Sequence, residues 1–304
     1  MKQPAPFHLA KFSSVAPVVL GAALGLSIAT PAKAQDEPKS LLAGEQATKG
    51  SEDVATSGFE AAAKAEASPD TLEIKLSAGG LSTGGNAESL ALTAAGKLHY
   101  RHDANQLSSA VVGNYGRARA AGAASTETTV ENLQGKIRYD RFITERVALF
   151  IAVSALTNRF LGLDYRLNLD PGLAYYFIDA AKHRMWGEIG YDLQYDLRRE
   201  DAVAASLAAG TPLDSSELSH NGRLFLGYEN NLSETFAFDT GIEYLQRLSE
   251  TENWRLNWDL GLTSNIAGNF SLATTFNLRY DNNPLEGIKK TDYTTAISLV
   301  YQLL

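Results

Sequence analysis

The chain has 304 residues, 27 of them Lys or Arg against 35 Asp or Glu, a formal net charge of −8 and no cysteine. The missing thiols exclude a disulfide scaffold and any thiolate-ligated metal or iron–sulfur site. The acidic balance, without a cluster of Lys and Arg, argues against a nucleic-acid partner, which would need such a cluster to neutralise phosphates.

The first segment, residues 1–34, reads as a secretory signal peptide. Lys2 and Lys11 precede the apolar run "VAPVVLGAALGLSIA", and the small-residue pattern "PAKA" ends at Ala34. The run is shorter than the ~20 apolar residues a spanning helix needs. Without it the chain carries 24 basic and 35 acidic residues. Residues 35–69, including "SEDVATSGFEAAAKAEAS", are poor in large apolar groups. They are expected to form a flexible or partly helical periplasmic tail, because little apolar surface is there to offset ordering entropy.

From residue 70 to 304 the texture is alternating. In "GEIGYDLQYDLR" (187–198) Glu188, Asp192, Gln194, Asp196 and Arg198 share one parity, and Ile189, Tyr191, Leu193, Tyr195 and Leu197 the other. A helix mixes these sets, whereas a strand sorts them onto opposite faces. Twelve strands are predicted, over 71–80, 87–102, 106–117, 129–142, 146–158, 164–178, 184–198, 216–230, 235–249, 253–265, 269–281 and 291–303. Each is long enough for a tilted membrane strand. The clearest is "NWRLNWDLGLT" (253–263), with Trp254, Leu256, Trp258, Leu260 and Leu262 on one face.

Every second connection is short: "DAN" at 103, "TER" at 144, "DAAKH" at 179, "NLSE" at 231 and "AGN" at 267. The others are mostly longer, the longest being "REDAVAASLAAGTPLDSS" from 199. An even strand count with short turns on one rim predicts an up-and-down antiparallel transmembrane β-barrel with both ends of the chain at the periplasmic rim. A soluble sandwich alternates too, but aromatic placement separates the two. On the apolar parity, Tyr139, Tyr175, Phe177, Tyr228, Phe236, Phe270 and Tyr301 fall beside the short turns, and Tyr165, Tyr195, Trp254, Tyr280 and Tyr293 toward the long loops. These form two girdles, as a bilayer requires of an outer face.

The stretch "RYDRFITERVALFIAVSALTNRFLGLDYRLNLDPGLAYYF" (138–177) and the ending "PLEGIKKTDYTTAISLVYQLL" resemble the salt-induced outer-membrane protein family, a Gram-negative barrel family of unknown biochemical activity. The likeness runs from about residue 72 onward, and "GLDYR" at 162–166 is its most specific part. It implies location in the cell outer membrane, and it supplies no activity to transfer. Outer-membrane barrels commonly end in an aromatic residue read by the assembly machinery, whereas this chain ends in Leu304, with Tyr301 as the nearest aromatic.

The inward parity carries the charges. Basic members include Lys75, Lys97, Arg101, Lys136, Arg138, Arg166, Arg198, Arg223, Arg247, Arg255 and Arg279, and acidic ones Glu73, Asp140, Asp170, Glu188, Asp192, Asp196, Glu229, Asp239, Glu243 and Asp259. Two readings stand side by side: an ion-pair network that fills the lumen, and a water-filled constriction. Bases dominate the first six strands and acids the last six, which predicts Asp192, Asp196 and Glu243 opposite Lys136, Arg138 and Arg166. His99, His102, His183 and His220 lack metal-ligand spacing, so no metal is expected. "AGGLSTGGN" (78–86) is a hairpin turn, since no Lys–Ser pair follows. A lipid-acting enzyme needs a serine and a base within reach, and no histidine is expected on the lipid-facing parity beside a serine. The expectation is therefore a monomeric barrel without catalytic residues or cofactor, serving envelope integrity or stress response. Its expected partners are outer-membrane lipids and, during biogenesis, the barrel-assembly machinery. The alternatives are a narrow channel for small solutes or ions, a lipid-acting enzyme, and an anchor whose tail binds a periplasmic partner.

Overall fold

The computed structural model describes residues 70–303 apart from 84–87, 120–123, 160–161, 181, 209, 211 and 284–289. The expected signal peptide (1–34), the tail (35–69) and Leu304 lie outside the described residues. Twelve strands follow one another: β1 (Asp70–Thr83), β2 (Glu88–His102), β3 (Asn105–Arg119), β4 (Glu127–Phe142), β5 (Val147–Asn158), β6 (Leu163–Asp179), β7 (His183–Arg198), β8 (Ser216–Asn231), β9 (Phe236–Arg247), β10 (Trp254–Ala267), β11 (Phe270–Asp281) and β12 (Thr291–Gln302). A helix, α1 (Glu200–Ala208), lies within the long connection after β7, which the sequence showed only as a long loop. Its Ala-rich sequence has good helix propensity but no apolar stripe by which to be recognised.

Each strand pairs antiparallel with its neighbours in sequence, and β1 returns to β12, so the sheet closes into a barrel with no free edge strand. The reason is periodicity. β5 buries Ala148, Phe150, Ala152, Ser154, Leu156 and Asn158 and exposes the residues between them, and β3 and β8 alternate in the same way. The exposed parity is apolar on every side of the barrel. Leu76, Val111, Ile137, Ile151, Ile189, Leu224, Ile242 and Ile297 are each 40% or more exposed. An apolar exterior around a charged interior is the inverse of a soluble protein and fits a wall immersed in hydrocarbon.

The connections at 103–104, 143–146, 180–182, 232–235 and 268–269, together with Asp70 and Gln302, form one rim. The opposite strand ends and α1 form the other. The ladders between successive strands hold from 11 to 15 residue pairs. The β1–β12 ladder holds four, from Lys75↔Gln302 to Ala78↔Leu299.

Candidate functional site: the lumen

The lumen is built around the inward row of β7, where alternation places Glu188, Asp192, Gln194 and Asp196 in file, each buried. Arg138 on β4 reaches across to this row. Its guanidinium lies 2.9 Å from Glu188 and donates to Asp140 on its own strand at 2.9 and 2.7 Å. Arg223 on β8 closes the other side of the same carboxylate at 2.8 Å and holds Glu243 of β9 at 2.6 Å. Asn257 of β10 donates to the second Glu243 oxygen at 2.8 Å. The result is a chain of alternating charge from β4 to β9 through the barrel, ended by Asn257 on β10, with Arg138, Glu188, Arg223 and Glu243 all under 5% exposed. Desolvated charges persist only when each is paired and hydrogen-bonded, and this network supplies several partners per group.

Toward the short-turn rim, on the β4–β8 side, an aromatic cluster fills the lumen beside these charges. Phe150, Tyr176, Trp186 and Phe225 pack with Ala148, Ala174 and Phe142, and the Tyr176 and Trp186 rings stack at 6.5 Å. The Arg138 guanidinium sits 4.0 Å above the Phe150 ring and Arg101 4.2 Å from Phe142, so cations cap the aromatic floor. Two inward glycines make room for these rings. A Cβ at Gly227 would lie 2.3 Å from the Trp186 ring, and one at Gly172 2.4 Å from Phe150. Sequence reasoning missed this floor because the run "YYF" at 175–177 places aromatics on both parities. The available signal was an inward glycine within a strand, which marks a close approach by another group.

The remaining lumen charges sort by register. Arg166 and Asp196 are directly opposite on β6 and β7 and form two hydrogen bonds of 2.7 Å. Gln194 donates to Asp196 and accepts from Arg255 at 2.8 Å. Asp192 takes two neutral donors, Asn168 at 2.7 Å and Asn221 at 2.8 Å. Arg279 and Asn277 hold Asp259. Lys136 and Asp170, with Gln134, Ser154 and Asn168, line a central cavity with about 20 Å³ open to the centre of a water molecule, enough for one. Asp239 is fully buried and Lys97 half-buried. Of the expected oppositions, Arg166 meets Asp196, but as neighbours in one ladder. Arg138 instead meets Glu188, Glu243 meets Arg223, and Asp192 meets two asparagines. The basic and acidic halves therefore interleave, through register partners such as Arg166 and Asp196 and through contacts across the lumen such as Arg138 with Glu188.

On the outer face, Tyr139, Tyr175, Phe177, Tyr228, Phe236, Phe270 and Tyr301 stand on the exposed parity near the short-turn rim, and Tyr165, Tyr195, Trp254, Tyr280 and Tyr293 near the other. Several touch: Trp254 and Tyr280 at 5.0 Å, Phe270 and Tyr301 at 4.9 Å, Tyr175 and Phe177 at 5.2 Å, and Tyr165 and Tyr195 at 6.1 Å. Trp258 and Phe276 pair edge-on between the two rings, so aromatics also occupy the middle belt. His220 lies on this outer parity, and its Nδ1 bonds to the Tyr191 hydroxyl, not to a serine. His99 does bond a serine, Ser108 at 3.0 Å, but inside the lumen. Among the described residues no group of His, Asp and Glu is arranged to hold a metal ion. At the long-loop rim, the Arg199 guanidinium bonds Asp201 at 3.1 Å and, with the Ala202 amide, holds its carboxyl below the usual carboxylate range.

Solved structures to which the chain is similar include a NanC porin (11% identity, TM-score 0.48, covering 75% of this chain and all of that one), an outer-membrane channel from Pseudomonas putida (11%, 0.44, 81% and 98%), and the translocator domain of the autotransporter NalP from Neisseria meningitidis (12%, 0.38, 76% and 86%). No protein of curated function matches the chain. The family described as "Protein of unknown function, DUF481" matches over residues 76–303, all twelve strands contribute to that match, and the chain belongs to this family.

Proposed function

We propose that this chain is a Gram-negative outer-membrane barrel whose interior is closed by its own side chains, and that it serves the integrity of the envelope without catalysis or bulk solute passage. The observation that supports this reading is the Arg138–Glu188–Arg223–Glu243 chain lying across the aromatic floor, with every member buried. An open pore of this strand number would leave its lumen charges hydrated. The outer-membrane location, a signal peptide at 1–34 and assembly by the barrel machinery belong to the same proposal, resting on the apolar exterior and the short-turn rim. The experiment is a planar-bilayer recording of the purified protein at neutral pH. The expected result is a silent membrane. Steady conductance from the unmodified protein refutes closure and favours the narrow channel, for which the water-sized cavity beside Lys136, Asp170 and Asp192 is the natural constriction.

A further inference from the structure

The barrel has one irregular seam. β1 continues past Ala78 to Thr83 and stays paired with β2 as far as Thr83↔Ser89. β12 begins at Thr291 and is paired with β11 from Tyr280↔Thr291 onward. The two strands nonetheless pair with each other only between Lys75↔Gln302 and Ala78↔Leu299. In the same register, residues 80–83 should face 294–297, and they do not ladder. The splay begins about 13 Å below Tyr293 along β12 at 3.3 Å per residue, and Tyr293 belongs to the aromatic ring at the long-loop rim. It therefore opens within the hydrocarbon band, where backbone edges are not left unpaired beside lipid without another partner.

A second, independent feature lies on the lumen side of the same spot. Thr93 and Ser298 are 6% and 2% exposed, and their hydroxyls have no hydrogen-bond partner. Both side chains come within 3.1 Å of the place a Cβ would occupy on Gly79, at the foot of the splay. Buried hydroxyls normally find a partner. The inward residues beside them are Thr275 and Asn277 on β11 and Asn114 on β3; the Asp259 carboxylate next to Asn277 is already neutralised by Arg279, and the charged chain from Arg138 to Glu243 runs along β4 to β9.

We propose that the β1–β12 seam is a lateral binding site, open to the leaflet at the long-loop rim, for an amphiphile with one hydrocarbon chain and an uncharged, hydroxyl-bearing head. The chain remains in the bilayer against the splayed edges. The head enters between residues 80–83 and 294–297 and bonds the Thr93 and Ser298 hydroxyls. Closure of the lumen beneath makes this a site of capture, not of passage.

The test uses the full chain in phospholipid nanodiscs with a monoacylglycerol carrying a diazirine in its acyl chain. Photolabelling is expected to concentrate on β1 and β12 above Ala78. In the Thr93→Val/Ser298→Ala variant that labelling should fall about tenfold, as for the loss of two neutral hydrogen bonds, while labelling elsewhere on the barrel is unchanged. Labelling spread evenly around the barrel, or unaffected by the double substitution, overturns the proposal. Amide hydrogen exchange of the unmodified protein decides independently of the variant's folding: exchange at 80–83 and 294–297 should be much faster than in β3, and equal protection would mean that the seam is laddered and no site exists.

Discussion

Glu188 receives both guanidinium groups of the central network, so its replacement by Gln leaves Arg138 and Arg223 buried with half their compensation. Breaking a buried pair in this way costs about 3–5 kcal/mol, and Glu188→Gln should lower the thermal unfolding midpoint clearly in detergent. Gly227 is the second sensitive position. Gly227→Ala places a methyl inside the buried Trp186 ring contact, and overpacking of this kind costs about 1–3 kcal/mol, measurable in the same unfolding assay. On the outer face the depth of a residue decides. Leu260 pairs with Phe276 and Thr240 in the middle of β10, whereas Leu256 pairs with Tyr244 and Tyr280 at the aromatic ring. Leu260→Arg should therefore cost about 2–4 kcal/mol and Leu256→Arg about 0–1 kcal/mol in a reversible folding assay in lipid. Asn257 was legible as inward from parity alone. Its bond to Glu243 was not, because that depends on which strands lie side by side and in what register.

At the scale of elements, the period of two made all twelve strands readable, and their ends agree with the structure to within a few residues, as between 184–198 and His183–Arg198. The helix α1 was unreadable because "EDAVAASLA" carries no apolar face, and it is held instead by local contacts at its start. Asp201 accepts the Ala202 amide and the Arg199 guanidinium, while the Arg199 amide bonds the Gly162 carbonyl of the neighbouring loop. Because the Asp201 carboxyl titrates lower in the folded chain than unfolded, its contribution is fully present above about pH 4 and is lost as pH falls through the lower, folded value. Amides 202–208 should lose exchange protection on acidification below about pH 4. In Asp201→Asn the same amides should exchange faster at neutral pH and show little further change with acid.

Across the whole molecule, the sequence was sufficient for barrel, strand number and inside-out polarity, because these follow from alternation and turn length. The state of the lumen was not legible. The inward parity contains Arg138 and Glu188, but also Phe150, Tyr176, Trp186 and Phe225, and only the closed barrel shows that the two sets pack against each other. Removing the floor should have a larger effect on conductance than removing a charge. Trp186→Ala is expected to produce measurable conductance in a planar bilayer, and a variant as silent as the parent would place the block elsewhere in the lumen.

The four-pair seam also bears on how the barrel is made. Each other ladder joins strands adjacent in sequence and can form as a hairpin, at little cost in chain entropy. The β1–β12 ladder joins Lys75 to Gln302, in the first and last strands of the barrel, and cannot form until every intervening hairpin is in place. The slowest contact in the molecule is thus also its shortest. Folding becomes a linear accumulation of hairpins followed by a single weak weld, so a lengthened seam, more than any reinforced hairpin, is what would speed ring closure and slow its reopening.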